Sequence, residues 1–255
     1  AMSILSTSPL IAVLDDAVSE QDCDLLIRTA KRRQPQEITS VDDQASNVID
    51  QTSTTMHNYQ LPPRLASRTA EEEAALNRFV DLVSDIFDCP PTDNETQTVR
   101  RTMPSASSGL SLGLHVDTNL KPRRFGTALL YLCDVADGCG GETIFPICSI
   151  ESPKDPLAKA ARALLDAGCT HTRRAPEELV GAARSLRLAA LRTAAGAKSN
   201  TGIAVQPRRG RLLLFFSRDD HGEVESLSWH GGADVYGGAE KWTLQRFAEV
   251  PAGVS

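Results

Sequence analysis

The sequence predicts an α+β protein, mostly β, in which a jelly roll or barrel is flanked by helices. Many short apolar segments are separated by turns rich in Gly, Pro and Asp, as in antiparallel sandwiches and barrels. A chain of 255 residues, 41% of them hydrophobic, is long enough to bury one such core. We expect a single domain over residues 1–255, with helical N-terminal support at 1–98, a β core at 99–250, and a helical insert at 151–204 within that core.

Two helices are expected in the N-terminal third. The first runs from Ser19 to about Arg33, because Ser19 and Asp22 have the spacing of a capping box, with Asp in place of the usual Glu or Gln. The second runs from Thr69 to Phe87, and three glutamates in its first turn suit the positive end of the helix dipole. Its expected buried face consists of Leu76, Phe79, Val80, Val83, Ile86 and Phe87.

Four later segments have the pattern of short strands. Residues 127–133 alternate so that one face carries Thr127, Leu129, Tyr131 and Cys133. Residues 140–146 join a glycine turn to a second short strand. Residues 211–216 are so continuously apolar that we expect burial on both faces. Residues 241–247 alternate again, and one side carries Lys241, Thr243 and Gln245.

Two histidines and one aspartate form the clearest candidate for a chemical site. His115 and Asp117 are two residues apart, so on a strand both side chains point the same way and can bind one ion. With His230 they form a set of two histidines and a carboxylate, which is typical of Fe(II) sites with open positions. His221 is the alternative distal ligand, although it lies in a polar loop without a basic residue at the right distance. The remaining histidines are expected to be exposed or structural: His57 and His171.

Several motifs between residues 99 and 250 share the order and approximate spacing of one known family. They are His115-Val116-Asp117, Arg124 with Thr127, Tyr131-Leu132, Gly140-Gly141-Glu142-Thr143 with Phe145-Pro146, Pro207 with Gly210, His230-Gly231-Gly232 with Val235, and Lys241-Trp242. On these residues the chain resembles the prolyl-4-hydroxylase-like branch of the Fe(II)/2-oxoglutarate-dependent dioxygenases. The resemblance implies a double-stranded β-helix core of the jelly-roll or cupin-like kind. It also implies Fe(II) held by His115, Asp117 and His230, with 2-oxoglutarate as co-substrate and O₂ as oxidant.

The resemblance also implies which residues contact 2-oxoglutarate. In this family a basic residue on the strand after the distal histidine meets the far carboxylate, and here that residue is Lys241; a buried carboxylate requires a paired cation. Tyr131 and Thr143 match positions whose hydroxyls contact the same carboxylate in relatives. Each residue also has an alternative role: Lys241 as a surface lysine, Tyr131 as a core aromatic, and Thr143 as a residue that only favours a strand. Arg124 either lies near the substrate entrance, as in some relatives, or belongs to a solvated cluster with two neighbouring basic residues.

Three segments leave the family pattern or allow two interpretations. Residues 151–204 replace a short connection, with helix candidates at 156–167 and 176–195 and many arginines. They form either a lid or subunit contact that helps to select an anionic substrate, or a solvated helical decoration. Residues 100–102 are Arg-Arg-Thr where relatives often have an Arg-Tyr pair, so the tyrosine contact to the co-substrate is absent or replaced. Residues 52–59 either approach the active site or form a plain connector.

These departures favour a small-molecule substrate over a protein. We expect an oxygenase that hydroxylates an unactivated C–H bond of a free amino acid or natural-product intermediate and releases succinate and CO₂. One alternative is a peptidyl (prolyl) hydroxylase that acts on a protein, since fold and cofactor do not define the substrate. Another is a non-catalytic jelly-roll binding domain that retains the ligands for structure.

Composition argues against some classes of partner. The net charge of -6 offers no basic surface for nucleic acid, and no apolar run approaches the ~20 residues that span a bilayer. The N-terminal residues lack a basic segment followed by a long apolar core, so we expect no secretory signal. Six cysteines without a C-x-x-C pair are expected to be reduced thiols in a cytoplasmic protein. Residues 151–204 are the candidate contact surface if the protein forms an oligomer.

Overall fold

The computed structural model describes residues 1–39, 55–63, 67–92, 95–106, 109–111, 113–118, 121, 123–196 and 201–250. Strands in these residues are β1 (Met2–Thr7), β2 (Leu10–Leu14), β3 (Gln36–Thr39), β4 (Thr55–Leu61), β5 (Gln97–Thr102), β6 (Arg124–Tyr131), β7 (Thr143–Phe145), β8 (Ile203–Val205), β9 (Leu212–Phe216), β10 (Gly231–Gly232) and β11 (Lys241–Glu249). The α-helices are α1 (Glu20–Lys31), α2 (Ala70–Phe87), α3 (Pro156–Asp166) and α4 (Val180–Ala194).

Two antiparallel sheets form the core. The large sheet has eight strands in the order β1-β2-β9-β6-β11-β5-β4-β3, and the small sheet has three in the order β10-β7-β8. In the middle of the large sheet, strands distant in sequence pair, as β6 does with both β9 and β11. Apolar side chains from both sheets, among them Tyr131, Phe145, Val205 and Phe215, fill the space between them. The prediction of a jelly-roll core with flanking helices is confirmed.

Alternation along the strands gives the large sheet two different faces. Ala128, Leu130 and Leu244 pack against α1 and α2 in one hydrophobic cluster. Leu129, between two of them, lines a cavity on the opposite face. β9 is buried on both faces except at Phe216, as its continuous apolar run predicts. The cavity therefore lies on the face of the large sheet opposite to α1 and α2.

The two N-terminal helices begin at the predicted residues. Ser19 accepts a hydrogen bond from the backbone nitrogen of Asp22 (3.1 Å), whereas the Asp22 carboxylate accepts from Arg78 Nε of α2 (2.9 Å) and so joins the two helices. Thr69 and Glu72 form a complete capping box at the start of α2. The buried stripe of α2 contains Leu76, Phe79, Val83 and Phe87. The prediction for Ile86 is wrong: it is 40% exposed, since one residue along a helix rotates the side chain by about 100°.

The insert packs as a second core and is not a solvated decoration. α3 and α4 bury small and apolar side chains together with Leu110, Leu114, Val116 and Trp229. α3 ends just before Gly168, whose φ of 72° is left-handed, as the sequence predicts. The second predicted helix is confirmed, although it starts with a 3-10 turn at Glu177–Leu179 before α4. The same cluster contains Ile144, so α3 and α4 pack against β7 as well as against residues 110–116.

The sequence predicts reduced thiols and no membrane-spanning segment. All six cysteines are free thiols, and four of them are buried. Among the helices that the structure describes, none has the length and apolarity to cross a bilayer.

Candidate active site

Three predicted ligands meet at one point between the sheets. One ligating atom each of His115, Asp117 and His230 lies within 4.8 Å of the others. Nε2 of His115 is 3.4 Å from Oδ1 of Asp117, and Nε2 of His230 is 3.4 Å from Oδ2. The side chain of His221, the alternative ligand, is 81% exposed and lies near Asp220 instead. The geometry therefore brings together the set that contains His230.

Backbone pairing brings the two histidines together. His115 and His230 exchange two hydrogen bonds, of 2.8 Å and 2.9 Å, as directly opposed residues of an antiparallel pair. Their ring centroids are 4.5 Å apart. Gly231 permits this approach, because a Cβ there would lie 2.7 Å from the carbonyl oxygen of Gly113. We call residues 113–117, which carry His115 and Asp117, the ligand segment.

Hydrogen bonds orient two of the three ligands. Nδ1 of His230 lies 2.9 Å from the carbonyl oxygen of Ser228, which can only accept, so the proton is on Nδ1 and the lone pair on Nε2. Thr127 Oγ1 donates to Oδ2 of Asp117 (2.8 Å), and Gln245 Nε2 lies 3.5 Å from the same oxygen. Such outer contacts are typical of metal ligands, whose orientation they maintain.

The insert holds the third ligand. The ring of His171 stacks on that of His115, with centroids 5.7 Å apart and planes 14° from parallel. Thr172 pairs with the backbone of Leu114 through its own nitrogen (2.8 Å) and its hydroxyl (3.0 Å). Nδ1 of His115 is buried and has no hydrogen-bond partner among the described residues. His115 is therefore positioned by stacking and strand pairing, a role for His171 that nothing in the local sequence indicates.

The protonation states suit metal binding. Burial would raise the pKa of Asp117, but the imidazoles of His230 and His115 hold this pKa well below its usual range. Burial, reinforced by His230, lowers the pKa of His115. At neutral pH the site therefore has a carboxylate and a neutral imidazole, the forms that bind a metal ion. Two histidines and a carboxylate on one side of an open cavity fit Fe(II).

A cavity opens beside these ligands and has a volume of about 600 Å³, counting the space at its mouth. It is lined by Met56, Arg100, Thr102, Ser111, His115, Leu129, Thr143, Phe215, His230, Gly232, Ala233, Lys241, Thr243 and Gln245. Met56 of β4 confirms that residues 52–59 approach the site; residues 52–54 of that segment lie outside the described residues. The predicted polar face of β11 lines the cavity at all three positions.

Lys241 is a buried cation and not a surface lysine. It is 7% exposed, and no carboxylate in the described part of the chain lies within ion-pairing distance of its Nζ. Burial lowers its pKa to about 8, opposed by the attraction of Glu142 and reinforced by the repulsion of Arg100. A buried ammonium without a counter-ion is costly, so this position favours an anionic ligand.

The two predicted hydroxyl contacts lie beside this lysine. Nζ of Lys241 lies 5.3 Å from the centroid of the Tyr131 ring, and Tyr131 Oη donates to Thr143 Oγ1 (2.7 Å). Thr143 lines the cavity directly. Tyr131 is fully buried, and burial raises the pKa of its hydroxyl, which therefore stays protonated as a donor. One ammonium and the Thr143 side chain thus line the cavity, whereas Tyr131 does not line it and lies behind Thr143.

Arg124 fits neither of its two interpretations. It is 5% exposed, so it does not belong to a solvated cluster, and it does not line the cavity. Its guanidinium donates to Glu249 (3.2 Å) and to the carbonyl oxygen of Asp117 (3.4 Å), and it lies 3.5 Å from the ring centroid of Phe247. The structure places it behind the ligand segment, where it holds the backbone of Asp117 against β11.

Comparison with known proteins gives a consistent picture. The family described as the 2OG-Fe(II) oxygenase superfamily matches residues 102–249. The chain is 27% identical over 252 residues to prolyl 4-hydroxylase 1 of Arabidopsis thaliana, covering 98% of this chain and 72% of that protein.

Solved structures resemble the fold. The 2OG complex of a viral collagen prolyl hydroxylase from Paramecium Bursaria Chlorella virus-1 has a TM-score of 0.52 and 15% identity, and covers 94% of this chain and 96% of its own. A Trichoplax adhaerens prolyl hydroxylase, in complex with a peptide fragment of hypoxia inducible factor, has a TM-score of 0.52 and 12% identity. The match covers 95% of this chain and 84% of the Trichoplax chain. At this identity the likeness concerns the fold.

Proposed function

The chain belongs to the 2OG-Fe(II) oxygenase superfamily, and we propose that it hydroxylates an unactivated C–H bond of a small molecule. It is a dioxygenase that uses Fe(II), 2-oxoglutarate and O₂. The observation that supports its assignment to catalysis is the convergence of two imidazoles and a carboxylate beside a cavity that is also lined by a buried lysine, which has no ion-pair partner among the described residues.

Each of the converging residues has a proposed task. His115, Asp117 and His230 hold the iron, and Lys241 with the hydroxyl of Thr143 binds the far carboxylate of the co-substrate. Iron with its co-substrate and O₂ supplies the oxidation of the C–H bond, with release of succinate and CO₂. Tyr131 donates its hydroxyl to Thr143 and so orients the second of these contacts.

The walls of the cavity protect the reaction from water. Leu129 and Phe215 line it on the large sheet, and the Phe215 ring lies with its centroid 4.5 Å from that of His230. Removing water strengthens the pairing of Lys241 with a carboxylate, because the local dielectric is low.

A small molecule, a free amino acid or natural-product intermediate, is the substrate class that we propose. Support comes from departures at the site: the insert packs against the ligand segment, and Arg100 and Thr102 line the cavity where relatives often carry a tyrosine. A second candidate is a prolyl residue in a peptide, because the relatives named above are prolyl hydroxylases.

Two measurements test the proposal. Anaerobic titration with Fe(II) and 2-oxoglutarate is expected to produce a visible charge-transfer band. Succinate release is then compared for free amino acids and for proline-containing peptides of matched concentration. Turnover that is coupled to a free amino acid supports the small-molecule proposal, whereas coupling only to peptides supports the second candidate. Absence of both the band and metal-dependent succinate release would contradict catalysis altogether.

A further inference from the structure

Within the proposed function, on which this inference rests, we propose that Arg100 recognises a carboxylate of the substrate. The substrate class is then a small carboxylic acid, and Arg100 determines the specificity for it. The starting observation is that two cations, Arg100 and Lys241, line one cavity, whereas binding the far carboxylate of 2-oxoglutarate needs one.

Strand register places Arg100 between the metal ligands and Lys241. On the large sheet Arg100 lies opposite Thr243 of β11 and Asn58 of β4, and the next pair along the same face is Thr102 with Lys241. On the other side of Arg100 along this face lies Gln245 of β11, whose amide nitrogen is 3.5 Å from the Asp117 carboxylate. Arg100 is therefore close to both ends of the site, at a position where a molecule beside the iron would contact it.

The hydrogen bonds of Arg100 leave its terminal nitrogens available. Nε donates to Asn58 Oδ1 (3.0 Å), which orients the guanidinium plane. Its two terminal nitrogens have no hydrogen-bond or ion-pair partner among the residues that the structure describes. A planar guanidinium held through Nε and open at both terminal nitrogens suits bidentate binding of a carboxylate.

Charge balance distinguishes the substrate from the co-substrate as the ligand of Arg100. Fe(II), Asp117, Lys241 and the 2-oxoglutarate dianion together are neutral, so Arg100 leaves one positive charge in the cavity uncompensated. Glu142 lies near Lys241 but does not line the cavity. A hydroxy acid or aliphatic acid provides the missing charge, a free amino acid provides a carboxylate at the position of Arg100, and a peptide segment without a carboxylate provides neither.

The neighbouring residue provides a matched control. Arg101 belongs to the same strand, but its side chain lies on the other face and pairs with Glu240. Arg101→Gln therefore removes the same charge at nearly the same place in the chain without changing the cavity.

The probes are free amino acids, hydroxy acids and short aliphatic acids, each paired with its carboxamide. Binding to the Mn(II)- and 2-oxoglutarate-loaded protein is measured by calorimetry, and succinate release is measured with Fe(II). We expect the wild type to prefer at least one acid over its amide by about tenfold or more, the range of one charge-assisted hydrogen bond. Arg100→Gln should reduce this preference to less than about threefold, and Arg101→Gln should retain it.

A second comparison separates the two anions. Arg100→Gln should leave the Kd of 2-oxoglutarate within about threefold of the wild-type value, whereas Lys241→Gln should weaken it tenfold or more. Equal weakening by both variants would assign Arg100 to the co-substrate and overturn the inference. So would a wild type that prefers none of the acids, or an acid preference that survives Arg100→Gln.

These failures are distinguishable from failure of the proposed function. Metal-dependent binding of 2-oxoglutarate and succinate release in the wild type would show an intact oxygenase even if Arg100 plays no part. If the wild type bound no 2-oxoglutarate in the presence of metal, the oxygenase assignment and this inference would both be rejected.

Discussion

Replacing Lys241 by methionine is expected to have opposite effects on stability and on binding. Methionine retains an apolar stem of similar length but removes a buried charge for which the described part of the chain offers no counter-ion. The free energy of unfolding should therefore increase, while the affinity for 2-oxoglutarate should fall. A lysine that was merely structural would not produce this pair of effects.

The expected gain in stability follows from the pKa of the ammonium. Burial lowers the pKa of Lys241 from 10.5 to about 8, a difference of about 2.5 units or roughly 3 kcal/mol at most. The unfolded chain binds this proton more tightly, so the wild-type free energy of unfolding rises with pH between about 8 and 10.5. The variant lacks this slope. Its advantage is complete below pH 8 and disappears above pH 10.5.

The expected loss of binding follows from one charge-assisted hydrogen bond. Such a bond contributes about 1.5–3 kcal/mol, which corresponds to an increase of about 10- to 100-fold in the Kd of 2-oxoglutarate. The affinity of the wild type should also fall about tenfold per pH unit above the lysine pKa of about 8, because only the ammonium binds the carboxylate.

Urea denaturation of the metal-free protein at neutral pH and near pH 9.5 measures the first effect. Calorimetry with Mn(II) and 2-oxoglutarate measures the second. Lys159→Met, on the exposed side of α3, is the control and should change neither quantity. If Lys241→Met lowered the free energy of unfolding and left the Kd unchanged, the lysine would already have a favourable partner in the native protein. The assignment of Lys241 to the co-substrate would then be wrong.

Two further predictions concern metal binding, and a third concerns the stability of the ligand segment. His230→Ala should weaken Fe(II) binding by more than about 100-fold, because loss of a ligand should cost more than loss of a contact to a ligand, which costs up to about 100-fold. His221→Ala should leave the Fe(II) titration unchanged. The reverse result would reassign the distal ligand to His221. Thr127→Val, which removes the hydrogen bond to Asp117, should weaken Fe(II) binding by about 10- to 100-fold without loss of folding, and an unchanged Kd would exclude an orienting role. Thr172→Val leaves a buried backbone N–H of the ligand segment unpaired and should cost about 1–3 kcal/mol in thermal or chemical denaturation; no loss would mean that the insert does not hold this segment.

Local patterns were sufficient for much of the fold and for two of the three candidate metal ligands, His115 and Asp117. Helix starts follow from capping residues such as Ser19 and Thr69, whose hydrogen bonds span three residues. The period of two along a strand places His115 and Asp117 on one side. The match of His230 and Lys241 to the family order supplied the distant partners that periodicity does not relate.

The positions of two arginines were beyond sequence reasoning. Arg100 appeared in the sequence only as part of a missing tyrosine motif, and its place in the cavity depends on the pairing of β5 with β11 and β4. Arg124 was expected at the substrate entrance or in solvent, but a glutamate 125 residues later draws it into the interior. In each case the partner lies far away in the chain.

The amino-acid order alone specified which chemical groups are present, which strand face each occupies and where the helices begin, because these properties depend on neighbours a few residues away. The folded chain alone revealed that His171 stacks on His115, that the insert forms a second core, and that Lys241 is buried with no counter-ion in the ranges that the structure describes. Those properties depend on strand register and on packing between segments tens to hundreds of residues apart, so the local periodicity of the sequence does not predict them.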